Sequence, residues 1–176
     1  NFKNIDYVDI PYVYDIFTKN DNRIIVMEQL YGKRLNEIKC DNDKTIYGLL
    51  VAKFNMKNIL YDRVYHADLH PGNIFFIKTE QHYKIGIIDF GIIGLLTKVE
   101  QHNFFCFFKY MLVDNDYIKG SNILLKYFVE PKYLYDNMNK IKKQELCNKL
   151  SMVASDLFIK KNNVDAITIY RLNSVL

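Results

Sequence analysis

The stretch Tyr65 to Phe76, YHADLHPGNIFF, sets His66, Asp68, His70 and Asn73 close together, with apolar residues pressing in from both sides. Imidazoles, a carboxylate and an amide are costly to bury without partners, so their concentration needs a reason. Three readings fit: a metal cluster on His66, Asp68 and His70, a polar knot that only holds a turn, or one half of a phosphoryl-transfer site.

A second acidic loop, Asp89-Phe90-Gly91, bears on the choice. Asp89 follows Ile85, Ile87 and Ile88, so its carboxylate emerges where a buried strand becomes a glycine-containing turn. If Ile74–Lys78 and Tyr83–Asp89 pair as a hairpin through Thr79-Glu80-Gln81-His82, Asn73 and Asp89 come to the same end of it. A carboxylate and an amide oxygen facing one gap suit Mg2+, a hard cation that takes oxygen ligands and shares its shell with phosphates. Asp68 then stands apart from the metal, free to accept or orient the proton of an attacking hydroxyl. The spacing of His66, Asp68 and Asn73, followed by Asp89-Phe90-Gly91, is that of the protein-kinase catalytic loop and D-F-G turn. Either motif alone is weak; together and in order they are specific.

These groups need elements to position them. Residues 11–17 and 23–30 are β-branched and aromatic runs around a polar segment, which predicts an antiparallel hairpin. Past Gly32 the pattern allows one helical turn. A long helix is then predicted from about Lys44 to Val64, with Asp43 as N-cap and Ile46, Leu49, Leu50, Phe54, Leu60 and Val64 on one face. Beyond Gly94 the period is helical throughout: Lys98–Val113, rich in phenylalanine, then Tyr117–Val129, stopped by Pro131, then Leu134–Lys161.

The segments His66-Ala67-Asp68-Leu69-His70-Pro71-Gly72-Asn73 and Asp89-Phe90-Gly91-Ile92-Ile93-Gly94 closely resemble the UbiB-like atypical kinase family, whose members carry H-A-D-P-H-P-G-N and D-F-G-x-x-G. The resemblance covers about residues 10 to 130 and is most specific over 65–94. It implies an α+β, protein kinase-like fold that binds ATP and Mg2+. Residues 1–31 would be part of the small lobe, hairpin and hinge, and residues 32–176 the helical large lobe. Carried over residue by residue, Asp68 is the catalytic aspartate, with His66 bracing the loop and His70 standing where many protein kinases place a phosphate-contacting lysine. Asn73 and Asp89 become the metal ligands. Met27 becomes the gatekeeper, Glu28 C=O and Leu30 N–H meet the adenine edge, and Phe75 lies under the ring.

Family members act as ATPases or atypical kinases, and several support isoprenoid-quinone biosynthesis at mitochondrial, plastid or bacterial membranes. Nucleotide is the implied small-molecule partner, with lipid or quinone-pathway proteins as implied macromolecular ones. Leu69 replaces the family's usual proline. The family's Lys-x-Gly-Gln segment, nucleotide loop and strand lysine belong upstream of Asn1, so the chain is expected to be a fragment, inactive by itself.

Alternatives remain open at this point. Aminoglycoside and choline phosphotransferases share H-G-D-L-H-P-G-N, and Leu69 is closer to them, whereas Gly94-Leu95-Leu96 and the phenylalanine-rich helix favour the UbiB-like reading. A conventional protein kinase would need an A-P-E motif. A pseudokinase scaffold or lipid-binding regulator would keep the same polar network without turnover. Zinc held by His66, Asp68 and His70 would leave Pro71-Gly72-Asn73 and the D-F-G turn without a purpose.

Bulk properties exclude some classes. Of the 176 residues 49% are hydrophobic and 25% charged, enough for one sizeable core. Net charge is +4 with the lysines scattered, and no nucleic-acid surface is expected. Cys40, Cys106 and Cys147 are far apart and read as reduced thiols of an intracellular protein. No apolar run spans a bilayer, so any membrane association would not be through a transmembrane helix of this chain. The amphipathic stripes read as core and solvated surface.

Overall fold

The computed structural model describes residues 5–15, 19 and 23–159. Strand β1 (Val8–Asp9) leads to a single 3-10 turn at Leu35–Glu37 and then to helix α1 (Asp41–Lys57), which continues as a π-helical turn over Asn58–Asp62. Strand β2 (Val64–His66), a 3-10 turn at Pro71–Asn73, and strands β3 (Ile74–Lys78), β4 (Tyr83–Ile87) and β5 (Ile93–Leu95) follow. The described residues that follow form four helices: α2 (Lys98–Phe108, with a π-helical turn at Lys109–Val113), α3 (Tyr117–Tyr127), α4 (Lys132–Asp136) and α5 (Lys140–Ile159). The chain is of mixed helix and strand.

Two small sheets organise it. In one the order is β1-β4-β3, with β3 and β4 antiparallel and β1 parallel to β4. The other pairs β2 with β5, antiparallel. Helix α1 lays Tyr47, Val51 and Phe54 on β3 and β4, where Ile74, Phe76, Ile85 and Ile87 are buried with them. A second cluster joins α2, α3 and α5 around Phe107, Met111 and Ala154. Among the described residues no helix is long and apolar enough to cross a membrane.

The β3–β4 hairpin forms with the expected turn, although β4 ends at Ile87 rather than Asp89. Other expectations need correcting. Among the described residues the 11–17/23–30 hairpin shows a single antiparallel bridge, Val13 to Met27, with Tyr14 N–H donating to Val26 C=O at 2.8 Å and Glu28 N–H to Tyr12 C=O at 2.7 Å. Most of its turn lies outside the described residues. Tyr12, Ile24, Ile25 and Met27 are all exposed, and a two-stranded ribbon with no buried face is marginal in water. Helix α1 starts three residues before Lys44, and Cys40 rather than Asp43 occupies its N-cap. It also ends early: Arg63 turns left-handed at φ 55°, and Val64 leaves in a strand paired with Leu95. The buried face is Tyr47, Val51, Phe54 and Asn58, and Leu49 is exposed. The segment after Gly91 forms β5 before α2 begins, because Val64, Tyr65 and His66 offer it an edge to pair with. The predicted Leu134–Lys161 helix is split into α4 and α5 around residues 137–139, and its last two lysines lie outside the described residues. In α2 Phe107 is buried and Phe105 exposed, so only one edge of the phenylalanine stripe is core.

Asp43 has another use. Its carboxylate accepts from Lys78 Nζ at 2.9 Å and from Tyr83 Oη at 2.8 Å, tying α1 to the end of the hairpin. The Lys78 ammonium and then the Tyr83 hydroxyl hold its carboxyl below the usual range. Nearby, burial and the Asp43 charge push the Tyr47 phenol up to about 12. A carboxyl with a lowered folded-state pKa stabilises above its unfolded pKa and loses that contribution as the pH falls through its folded value. Asp43→Asn is therefore expected to flatten the acid limb of a Tm-against-pH curve without changing its neutral plateau's shape. An acid limb as steep as the wild type's would refute this assignment.

Gly94 is dictated by its cross-strand neighbour. A Cβ there would lie 2.0 Å from Tyr65 Cζ, because the Tyr65 ring rests across Gly94 in the β2–β5 pair. Gly94→Ala must swing the ring aside, at an expected cost of about 1–3 kcal/mol. In a Tyr65→Ala background that cost should vanish, which a double-mutant denaturation cycle would read.

Candidate functional site

The loop between β2 and β3 is built from its own polar groups. Pro71 opens the 3-10 turn, and His70 Nδ1 caps it by accepting from Gly72 N–H at 3.0 Å. A Cβ on Gly72 would come within 2.7 Å of that ring, so a larger residue there would displace the His70 imidazole from the cap. Asp68 C=O accepts from His70 N–H at 3.0 Å and from Asn73 Nδ2 at 3.1 Å. Asn73 is 8% exposed; with its NH2 group engaged, Oδ1 is the part left for a ligand.

His66, 7% exposed, bridges the two acidic loops. Its Nδ1 accepts from Asp68 N–H at 3.2 Å, which puts the proton on Nε2, and Nε2–H donates to the Asp89 carbonyl. Beside it the Phe90 ring lies 5.3 Å away, centroid to centroid. Asp89 Oδ1 accepts from Gly91 N–H at 2.8 Å, leaving the other oxygen outside that turn. The strand register does the rest. Ile74 pairs with Ile87 and Ile88 N–H donates to Asn73 C=O at 3.2 Å, so Asn73 faces the residue next to Asp89 at one end of the hairpin.

The side chains of Asp68 and His70 are each 54% exposed, with Oδ2 and Nε2 3.9 Å apart. His66, Asp68, His70, Asn73 and Asp89 are thus linked largely through backbone hydrogen bonds, with the Asp68 side chain on the open side. Leu30 and Phe75 form a second group: both close on Gly86, where a Cβ would lie 2.9 Å from Leu30 Cδ1 and 3.4 Å from Phe75 Cβ. Met27 and Glu28 pair with residues 12–14 instead, and Met27 is 44% exposed. Glu28 gives its N–H to Tyr12 and accepts Tyr12 N–H on its carboxylate at 3.1 Å, leaving its C=O outside that pairing.

Oxygen donors at Asn73 and Asp89 fit a hard cation such as Mg2+. The geometry speaks against zinc on the histidines. Both His66 nitrogens have partners, His70 Nδ1 caps the turn, and no group of three or more metal-binding side chains is assembled among the described residues.

Sequence reasoning missed Arg34. Its guanidinium lies 3.8 Å from the Phe75 ring centroid and Nη1 donates to Gly72 C=O at 2.6 Å. A lone arginine in a polar segment gives no sign of this; the contact crosses 38 residues.

A catalytic-type loop and a D-F-G turn, hinged on one hairpin behind a long helix, mark a mixed helix-and-strand chain of kinase-like class. A model of the ABC1 atypical kinase-like domain matches residues 1–124, and the chain belongs to that family. Among curated proteins it is similar to the probable protein kinase UbiB of Shewanella sp. (strain W3-18-1) and of Shewanella putrefaciens (strain CN-32 / ATCC BAA-453), each 36% identical over 118 residues. The counterpart from Shewanella baltica (strain OS155 / ATCC BAA-1091) is 35% identical over 118 residues. Each match covers 61% of this chain and 21% of the relative, so the chain spans about a fifth of the length of these proteins.

Proposed function

We propose that this chain supplies the metal and catalytic part of a Mg·ATP site in an atypical kinase or ATPase of the UbiB type. The observation that supports the reading is the β3–β4 register, which puts Asn73 opposite Ile88, the residue before Asp89, together with the His66 bridge from Asp68 N–H to Asp89 C=O. In this reading residues 1–31 belong to the small lobe and 32–176 to the large lobe. Phe75 lies under the base, with Glu28 C=O and Leu30 N–H at the adenine edge and Met27 as gatekeeper. Asn73 Oδ1 and the Asp89 carboxylate hold Mg2+, which would neutralise phosphate charge when bound. Asp68 orients or accepts the proton of the attacking hydroxyl from its exposed position, and His70 faces phosphate. A role in isoprenoid-quinone metabolism, at a mitochondrial or other membrane surface and with lipid or pathway proteins as partners, rests on the family resemblance.

One observation favours a second reading, a pseudokinase scaffold or lipid-binding regulator. The loop's buried polar groups satisfy one another through His66, Asn73 and the Asp68 backbone, which a purely structural role also requires. The discriminating experiment uses the full-length protein with Mg·ATP, measuring thermal stabilisation alongside nucleotide turnover. Stabilisation with turnover lost in Asp68→Asn supports the enzyme; stabilisation with no turnover in the wild type supports the scaffold.

A further inference from the structure

We propose that Arg34 is a positioning residue that locks the catalytic loop to the floor of the nucleotide site and so couples metal binding to base binding. The inference rests on the Mg·nucleotide reading above and adds to it a residue outside both motifs.

The peptide joining Gly72 to Asn73 is held at both ends. Its C=O accepts from Arg34 Nη1 at 2.6 Å, and its N–H donates to His70 C=O at 2.9 Å. This peptide plane precedes the Asn73 Cα, so its orientation sets where the Asn73 side chain starts. Gly72 has no side chain to restrain it, and one of its two restraints comes from Arg34.

Arg34 is itself fixed. Its N–H donates to Glu37 Oε2 at 2.6 Å across the Leu35–Glu37 turn. The preceding residue, Lys33, exchanges both backbone bonds with Phe76, at 2.9 and 2.8 Å. The guanidinium plane then rests on Phe75, the residue assigned to the base floor. A flat, delocalised cation with several donors can stack and donate at once, which an ammonium cannot. A base seated against Leu30 and Phe75 therefore shares Phe75 with the group that orients Asn73. Ordering one orders the other.

The test is nucleotide binding by the full-length protein, with ATP as probe in the presence and absence of Mg2+, together with amide hydrogen exchange without nucleotide. In Arg34→Ala the Mg2+-dependent gain in ATP affinity should fall about tenfold, as for other groups that orient a metal ligand, while metal-free affinity changes far less. Exchange at Asn73 N–H should accelerate while α1 stays protected. Arg34→Met, which keeps an apolar stem over Phe75 but no donor, should give the same split and covers failure of the alanine variant to fold. Equal loss with and without Mg2+ would reduce Arg34 to a general structural contact and overturn the proposal. Unchanged exchange at Asn73 also overturns it, whatever the nucleotide data show. A wild-type protein that binds no Mg·ATP instead sinks the function reading, a separate outcome.

Discussion

Asp89→Ala in the full-length protein is expected to remove the Mg2+-dependent part of ATP affinity and to lower turnover by about 10²–10³-fold, the scale of losing one group that stabilises transferring charge. Asn73 offers a neutral amide oxygen, which cannot replace the carboxylate's charge at a divalent ion. The fold should tolerate the change. Asp89 is exposed, and its carboxylate makes one hydrogen bond, to Gly91 N–H at 2.8 Å, whose loss costs about 0.5–1.5 kcal/mol. The bond from His66 goes to the backbone carbonyl of Asp89 and survives any side-chain substitution. A titration with and without Mg2+, beside a melting curve, separates lost metal from lost structure. An Asp89→Ala protein with wild-type Mg2+ dependence would remove Asp89 from the metal site. Asp68→Asn supplies the contrast: its side chain lies outside the proposed ligand pair, so binding should persist while turnover falls.

The largest effect on stability is expected at Phe54. It is 0% exposed and packed with Tyr47, Val51, Ile74, Ile85 and Ile87 where α1 meets the β3–β4 hairpin. Phe54→Ala should cost about 3–5 kcal/mol, from lost burial plus a cavity that strands on one side and a helix on the other cannot collapse to fill. Against a typical domain stability of about 5–15 kcal/mol, that is a large fraction. Leu49→Ala, on the same helix but 50% exposed, should change stability by less than about 0.5 kcal/mol. Urea denaturation of the pair measures both; equal losses would mean that the buried face of α1 has been misassigned. Phe54 also bears on the site. Ile74 follows Asn73 and Ile87 lies two residues before Asp89, so a loosened cluster should free both residues of the proposed metal pair.

The two motifs and the hairpin between them were readable because each rests on local chemistry. Alternation of apolar residues, the Thr79–His82 turn and the positions of Asn73 and Asp89 together imply which end of the hairpin carries both side chains. Helix α1 was readable as a helix but not in its phase or limits. Isoleucine and leucine mark more than one face of it, and Tyr47 and Asn58 are buried only because β4 and α2 lie against them. Asp43 has the chemistry of a cap, yet Lys78 and Tyr83 approach from the hairpin and take its carboxylate. Strand β5 was missed for a related reason: Ile93-Gly94-Leu95 becomes a strand when β2 is beside it, and Gly94 makes room for the Tyr65 ring.

The sequence by itself therefore determined the kinds of chemistry available, the order of the two acidic loops and the family the chain resembles. These depend on residue type and on spacing along the chain. Only the tertiary structure decided that His66 joins the loops through the Asp89 backbone, that α1 turns Tyr47, Val51 and Phe54 inward, and that Arg34 reaches Gly72. Those contacts depend on the relative placement of segments far apart in sequence. A backbone carbonyl's partner leaves no trace in the side chains around it.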